Sequence, residues 1–350
     1  MEGLAKVGYR QTVYIQERGL KNSYDLNHPN MNLVVSYVLR KWMKFFFFAR
    51  IRAVFSDLSS RKIIYPDSVI MAYFLLSDGA VAYKLHQKYG TPYVVSVRNT
   101  DINVYLRYFP WLKPLARKIL INADFVFLAS PAYKEVIKAK FGESFYEINV
   151  APKLRIIGNI INASWFSAVF EKKITGKPLK LIYVGEFSKN KRIESIIHAV
   201  DILNQNMNVS LTLIGNYGDN CKKIQMMASS CSKITIINRI DSIDKLKCIV
   251  DNHDIFVMCS KTETFGLAYI EAMSRGLPVI YTRGQGIDGY FPDGFIGYAV
   301  SYPIAENVAV RVVEICNNYN VLSTAARSSS KLFAQNNIIE LYSSMINQVK

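Results

Sequence analysis

The sequence predicts an α/β protein of two doubly wound domains, each a parallel sheet wrapped by helices. Three observations point there. Short β-branched or aromatic runs alternate with longer helical patterns, as in parallel α/β sheets. The 350 residues exceed one ordinary core and fit two domains of about 150 to 180 residues each. The runs also fall into two series, separated by Asn162–Pro178, where both patterns lapse and Gly176 and Pro178 punctuate the chain. The predicted domains are therefore 1–165 and 166–335, with 336–350 a helix that crosses back to the first domain.

The first series places strands at Thr12–Gln16, Val69–Phe74, Tyr93–Val97, Phe125–Ala129 and Arg155–Ile161. Helices fall between them, at Ala80–Tyr89 and Leu112–Asn122. Met1–Val7 reads as the end of a helix with Gly8 as its stop. A doubly wound domain ordinarily opens with a buried strand and a Gly-rich turn. The first domain is therefore expected to lack its first strand, and to be less stable and less active than a longer relative. The second series places strands at Leu179–Gly185, Ser210–Gly215, Ile234–Asn238, Ile255–Cys259, Pro278–Tyr281 and Phe295–Val300. Its clearest helices are Arg192–Gln205 and Gly266–Arg275, and Asn337–Val349 forms the helical tail.

Composition narrows the class. Hydrophobic residues are 50% and charged residues 20%, as in a globular chain rather than a disordered one. The net charge of +16 is uneven. Residues 1–165 carry 23 Lys and Arg against 11 Asp and Glu. Such a one-sided surplus suits a polyanionic partner. An anionic membrane surface is the expected one, and no nucleic-acid partner is expected. The five cysteines all lie in the second half, without a CxxC pair or a zinc-like grouping, so neither disulfide nor metal is expected. Residues 1–16 hold no long apolar core of a signal peptide. Phe45–Ala49 and Val69–Leu76 are far shorter than the roughly 20 residues of a spanning helix. The expected location is the cytoplasm, peripheral on the inner face of the cytoplasmic membrane.

The segment richest in chemistry is Glu263-Thr-Phe-Gly-Leu-Ala-Tyr-Ile-Glu271-Ala-Met-Ser-Arg-Gly-Leu-Pro-Val-Ile280. It runs from a buried strand through a helix to the next strand. Glu263 and Phe265-Gly266-Leu267 thus sit at the carboxyl end of a strand, where open α/β sheets bind ligands. Helix-start N–H groups there suit a diphosphate. Glu, seven residues, Glu, then Ala-Met and a Gly-x-Pro turn resembles the family-four retaining glycosyltransferases. That resemblance implies the GT-B fold, two Rossmann-like domains facing across a cleft. It implies that Glu263 lies against the donor sugar and that Glu271 binds the nucleotide ribose. It also implies transfer from a nucleotide-sugar donor to a saccharide or lipid-linked acceptor, in capsule, O-antigen or exopolysaccharide synthesis.

Further segments fit the same register. In Tyr183-Val-Gly185-Glu-Phe-Ser-Lys189-Asn-Lys191-Arg192, Lys191 matches the family lysine that grips the donor diphosphate, with Gly185 and Arg192 beside it. Glu186 stands where the family has arginine. Leu213-Ile-Gly215-Asn-Tyr-Gly218 looks like the family's strand and glycine turn, and Arg283-Gly284-Gln-Gly286 follows a further strand. In the first domain, Arg98 occupies the place of the family histidine over the reaction centre. Asn99 and Asp101 complete that acceptor-side turn. There is no Asp-x-Asp pair, so a metal-free site neutralised by cationic side chains is expected, with no cofactor.

Two basic aromatic segments stand apart from this chemistry, Leu39–Arg52 and Arg107–Lys118. Both suit an anionic interface, and both could equally be helices covering the first sheet. Four consecutive Phe at 45–48 cannot share one helical face, so some are expected to turn inward. Two other functions stay open on the sequence. One is a degenerate, non-catalytic transferase-like binding protein, favoured by Glu186 and Arg98. The other is a nucleotide-sugar 2-epimerase, which shares the double architecture but lacks the glutamate pair.

Overall fold

The computed structural model describes residues 2–17, 28–167 and 178–349, so most of the seam Asn162–Pro178 lies outside the described residues. Cα packing divides the chain into two units. Unit 1 comprises Met1–Leu128, Val136–Ile157 and Ile338–Lys350, and unit 2 comprises Ala129–Glu135 and Gly158–Asn337. The boundary thus falls at Ile157–Gly158 instead of 165–166, and a seven-residue piece, 129–135, belongs with unit 2.

Unit 1 contains strands β1 (Gln11–Gln16), β2 (Met31–Ser36), β3 (Ile70–Ala72), β4 (Tyr93–Val97), β5 (Phe125–Leu128) and β6 (Leu154–Ile156). β1 and β2 pair in parallel as a two-stranded sheet, while the others form a parallel sheet in the order β3-β4-β5-β6. Among the described residues no ladder joins β1 to β3, so what the sequence reads as one sheet is two. Every residue of β4 and β5 is buried, as expected of central parallel strands covered on both faces. The helix Glu2–Lys6 and the C-terminal helix Gln335–Val349 help cover this sheet. Leu4, Ile338, Ile339, Met345 and Ile346 pack with Val94, Phe125 and Phe127. Tyr9 donates to Asn347 Oδ1 at 2.9 Å and ties the two ends of the chain together. The two-stranded sheet is pinned differently. Tyr14 and Ser36 both donate to Asp57 Oδ2 at 2.7 Å, on the helix Phe47–Ser60.

Unit 2 contains β7 (Leu179–Val184), β8 (Val209–Gly215), β9 (Ile234–Asn238), β10 (Ile255–Val257), β11 (Val279–Thr282) and β12 (Gly297–Val300). They form one parallel sheet in the order β12-β11-β10-β7-β8-β9. The chain leaves β7 toward one edge, returns, and builds the other half from β10. The switch point therefore lies between β7 and β10, which are direct neighbours. In open α/β sheets the carboxyl ends of the strands at such a switch point are the usual place for a ligand.

Candidate active site

The loops after β7 and β10 carry the two residues singled out for catalysis, and the sheet order brings them together. Lys191 Nζ meets Glu263 Oε2 at 2.6 Å, with the side chains 18% and 16% exposed. Partial burial strengthens the attraction and restrains both groups. A clamp fixes the loops themselves. Asn190 Oδ1 accepts from Thr262 N at 3.0 Å and Thr262 Oγ1 at 2.7 Å, while Asn190 Nδ2 donates to Thr262 O at 2.9 Å. The loop after β11 joins the clamp. Gln285 Oε1 accepts from Glu263 N at 2.9 Å, and Gly286 N donates to Glu263 O at 2.8 Å. Sequence reasoning missed Asn190 and Gln285. The signal for Asn190 was its place beside Lys191, within the segment already singled out.

Gly266 caps the helix Leu267–Ser274 in a left-handed conformation, φ 80°. A Cβ there would stand 2.5 Å from the Tyr269 ring, so both the backbone angle and the space require glycine. In the first turn Tyr269 N donates to Gly266 O at 3.0 Å, and this helix start is the end of the macrodipole that attracts anions. Phe265 is buried, its ring 5.3 Å from that of Phe333, so it packs beneath the loop and not against a ligand as the sequence suggested. Leu267 is exposed. Glu271 lies farther along the helix, and burial pushes its carboxyl up to about 7.

The remaining flagged residues divide into contact and scaffold. Arg192, which follows Lys191 in the chain, is left-handed at φ 50° and caps the helix Ile193–Leu203. Gly185 donates its N–H to Ile214 O at 2.9 Å, in the sheet. A Cβ on Gly215 would lie 2.0 Å from Gly185 O, so these glycines let β7 and β8 close upon each other. Glu186 is exposed on the loop after β7.

On unit 1, Arg98 follows β4 and is partly exposed. Asp101 is fully buried. Its two oxygens accept from the backbone N–H groups of Leu75, Leu76 and Arg98, each at 3.0 Å. Burial pushes Asp101 up to about 6, against these three bonds, which favour the carboxylate. Asp101 therefore holds the turn that carries Arg98. Asn99 accepts from the Asn103 side chain.

Residues 167–331 match the family described as Glycosyl transferases group 1. This is a GT-B fold. A sucrose-phosphate synthase from Thermosynechococcus elongatus superposes with a TM-score of 0.73 at 18% identity, over 99% of this chain and 90% of that one. Anabaena HepE, solved in complex with UDP-glucose, gives 0.66 at 13% identity over 96% and 99%. In sequence, the N-acetyl-alpha-D-glucosaminyl L-malate synthase of Bacillus anthracis is 24% identical over 175 residues, 48% of this chain. The matched region spans 45% of that relative's length. The family match covers most of unit 2 and includes Lys191, Glu263 and Glu271.

Proposed function

We propose that the chain is a retaining glycosyltransferase that takes a sugar from a nucleotide-sugar donor bound on unit 2. The observation that carries this reading is the Lys191–Glu263 pair at the sheet switch point, beside a glycine-capped helix start. In the reaction the bond between the anomeric carbon and the diphosphate oxygen breaks, and a bond to an acceptor hydroxyl oxygen forms. The acceptor proton leaves with the diphosphate or through solvent. Negative charge grows on the departing diphosphate, and Lys191, Arg192 and the N–H groups at Gly266–Leu267 are the groups to stabilise it. These cations take the place of a metal in this reading. Glu263 orients the sugar hydroxyls, and Glu271 accepts from the ribose.

Arg98 and Asn99 on unit 1 are assigned to the acceptor, a saccharide or lipid-linked saccharide of bacterial surface polysaccharide synthesis. Support comes from the family match, the donor-bound HepE neighbour and the motif resemblance. The exposed Glu186, acidic where a diphosphate grip would have a cation, favours a second reading, a non-catalytic relative that binds nucleotide only. Incubation with a panel of UDP- and GDP-sugars separates the readings. Release of free sugar supports the transferase, nucleotide binding without turnover supports the second reading, and a C2 epimer overturns both.

A further inference from the structure

The two basic aromatic segments of unit 1 meet in space. The Phe47 ring lies 5.9 Å from Tyr105, Tyr105 lies 6.4 Å from Phe109, and Phe109 lies 5.3 Å from Trp111. At the other end of the strip Phe48 sits 5.4 Å from Phe47, and Trp42 sits 5.7 Å from Phe46. Of the four consecutive Phe, Phe47 alone turns partly inward. Phe45 is 75% exposed, Trp111 65%, Tyr108 62% and Phe48 60%. Single exposed apolar side chains are ordinary, but a joined strip of rings is not.

The charges within the two segments are of one sign. Residues 26–56 and 102–123 contain no Asp or Glu. Arg40, Lys41, Lys44, Arg52, Arg107 and Lys118 are all exposed there. Lys44 Nζ lies 4.6 Å from the centre of the Phe45 ring, so cation and ring are presented as one unit.

We propose that this strip docks on an anionic lipid bilayer, with the rings at headgroup level and the cations against lipid phosphates. Rings with cationic neighbours suit that interface, where one end of the residue is apolar and the other wet. Self-association through the same face would set like charges against each other, since neither segment contains a carboxylate to pair them. Among the described residues no helix is long and apolar enough to cross a membrane, so the attachment is to the surface. The inference does not depend on the proposed activity.

The test uses the full chain with phosphatidylcholine vesicles, with and without phosphatidylglycerol. Of the three tryptophans, Trp42 and Trp111 are in the strip and Trp165 is buried, 2% exposed. Emission should therefore shift to the blue on phosphatidylglycerol vesicles, and co-sedimentation should weaken at least about tenfold on raising salt several-fold. The triple variant Phe45→Ser, Phe48→Ser, Trp111→Ser should lose about tenfold or more in vesicle affinity. Its melting temperature and UDP response should be unchanged, because those side chains are exposed. Tyr302→Ser, an exposed ring on unit 2, should change nothing. Equal binding to neutral vesicles, no binding at low salt, or wild-type binding by the folded triple variant overturns the proposal. So does a dimer in sedimentation that the triple variant abolishes, since the strip would then be a self-association face.

Discussion

Both units are built from parallel strands, yet among the described residues unit 2 joins six of them in one sheet while unit 1 divides six into sheets of two and four. The difference shows at the strand ends. In unit 2 an unbroken sheet lines up neighbouring carboxyl ends, so the loops after β7, β10 and β11 can be laced by Asn190 and Gln285. A cation and a carboxylate that would move freely on separate loops are held at 2.6 Å. In unit 1 the corresponding polar device is Asp101, which gathers three peptide N–H groups and presents nothing of its own. One unit is organised around a laced cation–carboxylate pair, and the other around a turn and a broad basic face.

The sharpest way to break this comparison is to remove charges from each unit separately. Glu263→Gln is expected to lower transfer by about 10²–10³-fold, the scale of losing one preorganised polar contact to the reacting sugar. UDP affinity should stay within a few-fold. Lys191→Ala should weaken both UDP binding and turnover, whereas Arg98→Ala should act on acceptor use alone. Titration of UDP by calorimetry and turnover with the accepted donor check all three. If Arg98→Ala weakens UDP binding as much as Lys191→Ala does, the division of labour between the units is gone.

Asp101→Asn tests unit 1. The new amide must set an NH₂ where an oxygen now accepts from backbone N–H, leaving at least one buried donor unsatisfied. The expected loss is about 2–3 kcal/mol, or a fall of several degrees in melting temperature. UDP affinity should be unchanged, because unit 2 is untouched. A variant that keeps its melting temperature would show that the clip is weaker than its three bonds suggest.

Much of unit 2 was legible from the residues, because each of its strands is a compact apolar run and the Glu263–Glu271 segment joins strand to helix in one stretch. Lys191 and Glu263 were each legible, but their contact was not. They stand 72 positions apart, and only the order of strands makes them neighbours. In unit 1, β2 escaped notice because its apolar run is only Leu33-Val34-Val35, between polar neighbours. β6 ends at Ile156, five residues before its predicted end at Ile161, and the chain passes into unit 2 at Gly158, where a Cβ would stand 2.6 Å from Phe333. Asp101 looked like a ligand group because a carboxylate near a strand end ordinarily is one. Its burial depends on residues 75 and 76, distant in sequence.

Glu271 sharpens the comparison through pH. Its folded pKa is raised from 4.5 to about 7 by burial, so the folded chain holds a proton that the unfolded chain releases. Stability of the ligand-free protein should therefore fall as pH rises from about 4.5 through about 7. Glu271→Gln should remove that part of the slope and raise stability at pH 8 by roughly 2 kcal/mol, allowing for partial solvent screening. Donor affinity should run the other way and rise through the same window, because an ionised carboxylate is the better acceptor for ribose hydroxyls. Thermal melts and UDP titrations across pH, on both proteins, check the two signs together.

The smallest effect belongs to Glu186, the residue that departs most plainly from a diphosphate grip. It is exposed on the loop after β7, and its backbone carbonyl is already fixed by the Tyr183 hydroxyl at 2.8 Å. A side-chain exchange there should leave the loop in place. Glu186→Arg changes the local charge by two units beside the proposed diphosphate site. An exposed charge interacts through water and is screened by salt, so the gain should be near the few tenths to 1 kcal/mol of a surface ion pair. UDP affinity should thus rise about two- to fivefold at low salt and less at physiological ionic strength. Uridine, which lacks the phosphates, should bind the variant and the parent alike. If uridine gains as much as UDP, the change acts through loop packing and the diphosphate does not lie beside residue 186. If neither gains, Lys191 and Arg192 already neutralise the diphosphate, and the acidic residue is a solvent-facing neighbour of a complete site.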